Sequence, residues 1–516
     1  MKVFIDTNVL IDVAVRADQF PDSLKLINDI IEWDEGNLWI SAISLNNLEH
    51  ILSRLGHKEK ARNFLKFIQQ TFSIIPFRRS VFTSALAINT PDFEDGIQMA
   101  SAGEMGMDYI ITRNTDDFKD SKVPTLTPTE FLEKWNGGEF DSATSVPFLD
   151  LKAQHHQVYN EIDDKITDII ANTGFILGKH VEEFEERFTE LQGAKYCIGV
   201  SSGTDALHVA LLALGIGPGD KVIVPVNTFI ATAEAVSLCG GEPVFVDCDK
   251  FYNLDTEKLK LKRTEVEEEQ RGLLKAIIPV HLYGQPANMA EIMALANEYG
   301  IEVVEDCCQA HLGRYQEKSV GGFGKFGAFS FYPGKNLGAY GEAGALITND
   351  EKLYQRAKMI RQHGEIERYH HQVIGHNYRM EAFQGAVLAT KSKYLTEWTE
   401  KRRANAELYS ELLEDVEGIE TPQELDETYC VYHLYVIQCD KRDDLKAYLE
   451  ANGISTGLHY PVPLHMQPAY AFLGYKEGDF PVAETAAKRI LSLPMYPELA
   501  EAQIRYICDK IKEFCK

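Results

Sequence analysis

What most constrains this chain is an alternation of short apolar runs with stretches of helical spacing, repeated over almost its whole length. From residue 195 onward KYCIGV, KVIVPV, EPVFVD, LKAIIPVHLYG, IEVVED, FGAFSF and GALIT read as strands. DALHVALLAL and NMAEIMALANEYG lie between them with helical periodicity. Runs apolar on both faces belong inside a parallel sheet covered by helices, so the chain is α/β. The same style opens the chain on a smaller scale: KVFIDTN and MDYIITRN are strands ending in polar or acidic residues, with SLKLINDIIEW, SLNNLEHILSRL and EKARNFLKFIQQTF as helices between them. In such sheets function gathers at the carboxyl ends of strands.

A chain of 516 residues exceeds one core and predicts several domains. The small, polar, glycine-bearing stretch NGGEFDSATS has linker composition. The expected division is residues 1–136, a linker over 137–145, a large α/β domain over 146–394 and a smaller α+β lobe over 395–516, where YHLYVIQC and AEAQIRYICDKIKEFC mix strand and helix patterns. No run of about 18 apolar residues is present, so no membrane-spanning helix is expected. Asp6 and Asp12 interrupt the N-terminal apolar stretch, which does not suit a secretory leader, and a cytoplasmic location is expected. The nine cysteines all lie beyond residue 196 with no CxxC pair, suggesting neither a disulfide framework nor a structural zinc site. The formal charge of −26 argues against a general nucleic-acid coat. The basic residues Arg54, Lys58, Lys60, Arg62, Lys66, Arg78 and Arg79 cluster within the first domain and read as a solvated helix face.

One lysine stands out in SFYPGKNLGAYGEAG. If Lys335 carries pyridoxal 5′-phosphate (PLP) as a Schiff base, further groups are required. The phosphate needs amides at a helix N-terminus, and Gly203 with Thr204 opens the helix that follows KYCIGV. Ser330 can add a hydroxyl. The pyridine nitrogen needs a carboxylate beside it to stay protonated, and Asp306 ends IEVVED. Phe229 offers an aromatic face, and Gln309 a hydrogen bond to the phenolic oxygen. GFGKFG, at residues 322–327, has dinucleotide-motif spacing but precedes a strand and opens no helix, so it is a loop.

From about residue 146 to the C-terminus the chain resembles the DegT/StrS family of PLP-dependent sugar aminotransferases. VPFLDL, GFILGKHVEEFE, SSGTDALHVAL, PVNTFIATAEAV, IIPVHLYGQPANM, VVEDCCQAHLG, FSFYPGKNLGAYGE, GHNYRMEAFQGAVL and HYPVPLHMQPAY carry the resemblance. It implies the PLP-dependent aminotransferase type I fold, with Lys335 bonded to the cofactor, Asp306 paired with the pyridinium, Gln309 on the phenolic oxygen and Phe229 stacked on the ring. It implies phosphate contacts from Gly203, Thr204 and Ser330. Asn377 matches an asparagine that reaches the neighbouring subunit's phosphate, so a homodimer is expected. The family commonly reads GEGG or GDGG where this chain reads GEAG, and the added methyl of Ala343 is expected to crowd that loop. The implied reaction takes nitrogen from L-glutamate to a keto-sugar on a nucleoside diphosphate. The VPFLDLKAQ, PVHLYGQPA and HYPVPLHMQPAY segments point to a dTDP-3-keto-6-deoxyhexose. His459 and Tyr460 are candidates for the sugar pocket, with structural roles as the alternative.

In the first domain, Asp6, Glu49, Asp95 and the Asn114/Asp117 end of ITRNTDDF are acids that a parallel fold can gather. Clustered carboxylates repel unless a cation neutralises them, and hard oxygen ligands suit Mg²⁺ or Mn²⁺. FIDTNVLID, DFEDGIQMASA and DYIITRNTDDF resemble a PIN domain similar to VapC-type ribonucleases. The resemblance implies that Asp6, Glu49 and Asp95 bind metal, with Asp117 as the fourth acid because Asn114 stands where many members have aspartate. RNA is then a possible partner of this domain. Two other readings remain: a toxin-type ribonuclease with the aminotransferase part as a dimerising scaffold, and a degenerate PIN unit that serves as an interaction module.

Overall fold

The computed structural model describes all residues except 34–37, 91, 138–144 and 270–272. Most of the stretch read as a linker lies outside the described residues. The chain divides into two compact units, Met1–Ser142 with Lys152–Asn160, and Ala143–Leu151 with Glu161–Lys516.

The first unit holds a five-stranded sheet in which every pairing is parallel. Its strands are β1 (Val3–Ile5), β2 (Leu38–Ser41), β3 (Ser73–Ile75), β4 (Tyr109–Ile111) and β5 (Thr125–Leu126), in the order β3-β2-β1-β4-β5. Of these, β1 and β4 are legible from sequence. β2, β3 and β5, of four, three and two residues, are not among the runs read from the sequence. The three helices expected here form over Pro21–Trp33, Ala42–Arg54 and Lys58–Thr71. Strand order reverses at β1, so the carboxyl ends of β1 and β4 open beside one another.

The second unit is built on seven strands, β6 (Tyr196–Val200), β7 (Lys221–Pro225), β8 (Glu242–Val246), β9 (Leu274–Ile277), β10 (Glu302–Asp306), β11 (Phe326–Ser330) and β12 (Gly344–Thr348). Each matches a run read from the sequence. Their order is β6-β12-β11-β10-β9-β7-β8, and β12 alone runs antiparallel to its neighbours. One core cluster, from Ile198 and Val200 through Leu207, Val224, Phe245 and Phe326, fills one side of the sheet. Beyond residue 395 a three-stranded antiparallel sheet, Ile419–Glu420, Tyr435–Cys439 and Ile490–Leu493, packs with helices Leu395–Leu413 and Glu501–Cys515 around Tyr409, Tyr435 and Ile507. Among the described residues no helix is long and apolar enough to cross a membrane. All nine cysteines are unpaired.

Candidate functional sites

The carboxyl ends of β6, β7, β10 and β11 converge on a cavity of about 680 Å³. Lys335, Asp306, Gly203, Thr204, Phe229, Gln309 and Ser330 all line it. Residues far apart in sequence meet here because parallel strands deliver their C-terminal turns to one edge.

Lys335 follows β11 on a tight loop. Its amide donates to Tyr332 O at 2.8 Å, and the Ala339 amide donates back to Phe331 O at 2.8 Å. Gly338 is needed in this turn, since a Cβ there would lie 2.2 Å from Pro333 O. Burial pulls the Lys335 amine below the ordinary lysine range, and the nearby Cys308 and Asp306 oppose the shift only in part. Among the described residues its Nζ has no hydrogen-bond or ion-pair partner.

Asp306 ends β10 and is buried. Its Oδ2 accepts from Thr232 Oγ1 at 2.8 Å and its Oδ1 from the Cys308 amide at 3.1 Å. The Thr232 hydroxyl also meets Thr228 at 3.0 Å. A twelve-residue helix, Gly203–Leu214, brings its N-terminus to the cavity wall, capped by the Ser202 hydroxyl on the Asp205 amide at 3.1 Å. A Cβ on Gly203 would stand 2.6 Å from Ser330 Cβ, so glycine lets this end approach β11. Gln309 accepts from the Tyr283 amide at 2.6 Å and donates to Tyr460 Oη at 3.1 Å. Phe229 is exposed at the cavity wall, 5.6 Å from the Tyr460 ring.

His459 also lines the cavity, stacked on Phe148 at 5.6 Å with Nδ1 2.8 Å from Ser492 Oγ, and burial brings it down to about 4. Asn377 is exposed and does not line the cavity. The methyl of Ala343 is fully buried in a cluster with Phe331, Leu337 and Ala339, so it fills core where crowding of the loop was expected. The GFGKFG loop wraps a buried carboxylate, with the Gly321, Phe323 and Gly324 amides each 2.7 Å from Glu305. Sequence reading missed Thr232, Thr228 and His433, for which spacing carries no signal.

The residues present fit PLP. A desolvated lysine amine without a partner among the described residues lies near a buried aspartate, and a helix N-terminus with no room for a side chain at its first residue lines the same cavity. The Gly203 and Thr204 amides, two of the orphan donors of that N-terminus, find no acceptor among the described residues.

The DegT/DnrJ/EryC1/StrS aminotransferase family model matches residues 156–512. The chain belongs to this family. It is 46% identical over 373 residues to a pleiotropic regulatory protein of Geobacillus stearothermophilus, covering 72% of this chain and 98% of that one. It is 42% identical over 370 residues to the UDP-N-acetyl-3-dehydro-α-D-glucosamine 3-aminotransferase of Acidithiobacillus ferrooxidans, covering 72% and 98%. The crystal structure of S. venezuelae DesV in complex with a ketimine intermediate superposes with a TM-score of 0.69 at 40% identity, covering 72% of this chain and 99% of that one. The PIN domain model matches residues 2–116.

In the PIN unit Asp6 is buried at the end of β1, where its Oδ2 accepts from Thr112 Oγ1 at 2.5 Å. Thr7 donates to Glu94 at 3.2 Å, and Asn8 donates to Thr112 Oγ1 at 3.1 Å, so FIDTN ties β1 to the end of β4 and to the helix Phe93–Glu104. Burial raises Asp6 to about 6, against hydrogen bonds from Thr112 and Gln98 that lower it. Burial raises Asp95 to about 7, with Asp6, Asp92, Asp117 and Glu94 adding repulsion. Asp6 and Asp117 thus both lie within electrostatic reach of Asp95. Glu49 is not among the charges that move Asp6 or Asp95 most, and its carboxylate accepts from Ser53 Oγ at 2.9 Å. No three of the four converge to within 4.8 Å of one another. The raised acids fit a cation, since a positive charge relieves the repulsion that burial aggravates. Arg54, Lys58, Lys60, Arg62, Lys66 and Arg79 are all exposed and form no ion pair among the described residues.

Proposed function

We propose that this protein transfers an amino group from L-glutamate to the C3 carbonyl of a hexose carried on a nucleoside diphosphate, a dTDP-3-keto-6-deoxyhexose first among the candidates. The observation that carries this reading is the desolvated Lys335 amine, without a partner among the described residues, near Asp306 in a cavity lined by the Gly203 helix end. Amination at C3 is supported by the relative named as a 3-aminotransferase.

PLP bound here supplies an electron-accepting pyridinium ring. In this reading Gly203, Thr204 and Ser330 hold its phosphate and Phe229 covers one face. Asp306, oriented by Thr232 and the Cys308 amide, holds the ring nitrogen's proton. Gln309 reaches the phenolic oxygen. The Lys335 amine, its proton affinity reduced by burial, takes the proton from the donor's Cα and delivers one to the sugar's C3. Asn377, exposed and outside the cavity, is available to a second copy in a homodimer, which sedimentation would test. The purified protein should be yellow, L-glutamate should bleach the colour, and Lys335→Ala should remove both effects. The keto-sugar that restores the colour, offered on dTDP and on UDP, names the substrate. A wild-type protein that stays colourless with added PLP would end this reading.

A second activity is favoured by the gathered acids of the first unit: Asp6, Asp95 and Asp117 hold Mg²⁺ or Mn²⁺, which supplies activated water against a phosphodiester of RNA. Its test compares RNA cleavage with Mg²⁺ by wild type and Asp6→Asn, and equal, negligible cleavage rejects it. If cleavage is strong while the colour test fails, the aminotransferase part is a scaffold for the nuclease.

A further inference from the structure

We propose that Lys391 is a positioning residue for Lys335, holding the loop that carries the reactive amine through a hydrogen bond to the Gly338 carbonyl. Lys391 ends the helix Ala382–Lys391 and is 2% exposed. Its Nζ donates to Gly338 O at 2.9 Å. Gly338 is buried, three residues after Lys335, in the turn that leaves no room for a Cβ against Pro333 O. Among the described residues no other donor reaches that carbonyl.

The same helix grips the loop a second time. Gln384 stands seven residues before Lys391, on the same face of the helix. Its Oε1 accepts from the Tyr340 amide at 3.0 Å, and a Cβ on Gly341 would lie 2.8 Å from its Nε2. The helix is itself closely seated, since a Cβ on Gly385 would stand 2.8 Å from Val181 Cα on the helix Lys179–Gln192. The Lys335 loop is thus held between β11, which it follows, and a helix that reaches it at Gly338 and Tyr340.

A lysine is a costly side chain for this place, because burying an amine costs far more than burying an apolar chain of the same length. Its Nζ lies 4.6 Å from the centroid of the Tyr340 ring, and burial brings the amine down to about 7, with Glu498 opposing the shift. A methionine would fill the same space. What it lacks is a donor for Gly338 O. Without that donor a buried carbonyl is left unsatisfied, and a turn that shifts to satisfy it carries Lys335 along.

The inference rests on reading Lys335 as the amine that bonds PLP, but its test needs no turnover. In that bond the Lys335 nitrogen joins the aldehyde carbon, and the carbonyl oxygen leaves as water with the two hydrogens of the neutral amine. PLP affinity therefore depends on where the amine stands. Pyridoxamine 5′-phosphate (PMP) carries an amine in place of the aldehyde, cannot make this bond and is held by the rest of the site. The full chain, freed of cofactor with hydroxylamine, is titrated with PLP by visible absorbance and with PMP by calorimetry. Lys391→Met should lose about tenfold in PLP affinity and keep PMP affinity within about twofold. Lys391→Gln, which keeps a shorter donor, should lose less PLP affinity. Deuterium exchange in cofactor-free Lys391→Met should quicken at the Lys335 and Ala339 amides and match wild type over the helix Gly203–Leu214. A PLP loss no greater than the PMP loss, or loop exchange that matches wild type, overturns the proposal. If Lys391→Met does not fold, the same two outcomes in Lys391→Gln overturn it. A failure of the transaminase reading would show instead as a wild type that stays colourless with PLP while loop exchange still quickens in the variant.

Discussion

Gly203→Ala tests the architecture of the cavity at its tightest point. The new Cβ would lie 2.6 Å from Ser330 Cβ and 3.0 Å from Cys308 Sγ, whereas carbon atoms pack at about 3.5–4.0 Å. The helix end must therefore back away from β11 by about 1 Å. Overpacking of this kind costs about 1–3 kcal/mol of stability. The effect on PLP should exceed it, because amides that bond an anion at about 2.9 Å leave hydrogen-bonding range when moved by about 1 Å. Two charge-assisted bonds weakened by about 1–2 kcal/mol each correspond to a loss of affinity of about 30-fold to 1,000-fold. PLP affinity is read from the visible absorbance on titration, and stability from thermal unfolding without cofactor. Gly217→Ala is the control, since its Cβ would meet nothing within 4 Å. An unchanged PLP affinity in Gly203→Ala would refute the argument that this helix end takes the phosphate by backbone approach.

Thr232→Val keeps the shape of the side chain and removes the donor to Asp306. It should weaken the hold on the ring-nitrogen proton and reduce kcat/KM about tenfold to a hundredfold, in line with a hydrogen bond to a charged group, with little change in PLP content; steady-state kinetics alongside absorbance checks both. In the first unit Asp95 has its folded pKa raised to about 7 from an ordinary value of 3.8. The stability associated with its protonated form is fully present below about pH 4 and is lost as pH rises through about 7. Asp95→Asn should therefore raise the melting temperature of the metal-free protein at pH 8 and not at pH 4. Mn²⁺ should stabilise the wild type at pH 8 and lose that effect as acid protonates the cluster, and should do nothing for Asp95→Asn. A Mn²⁺ response that does not depend on pH would contradict the placement of Asp6 and Asp95.

Much of the site was legible because its chemistry sits at the ends of strong strands. IEVVED announces a strand and its last residue in one run, so Asp306 could be placed before any coordinates, and the glycine opening DALHVALLAL gave the helix end. Lys335 stood out in the glycine-rich stretch SFYPGKNLGAYGEAG, and the structure sets it on the loop after β11. β2, β3 and β5 were not among the runs read as strands, and length does not set them apart from β1 and β4, which have three residues each.

Periodicity and strand ends thus fixed the α/β class of both units, the order of the large sheet's strands along the chain and the identity of the lysine, aspartate and glycine at its edge. Those features depend on local pattern, which a sequence carries within a few residues. The bond from Lys391 to Gly338 O, the burial of the Ala343 methyl and the bond from Thr232 to Asp306 were decided only by tertiary structure. Each depends on which distant segment packs against it, and close packing sets that partner through contacts that no spacing along the chain encodes.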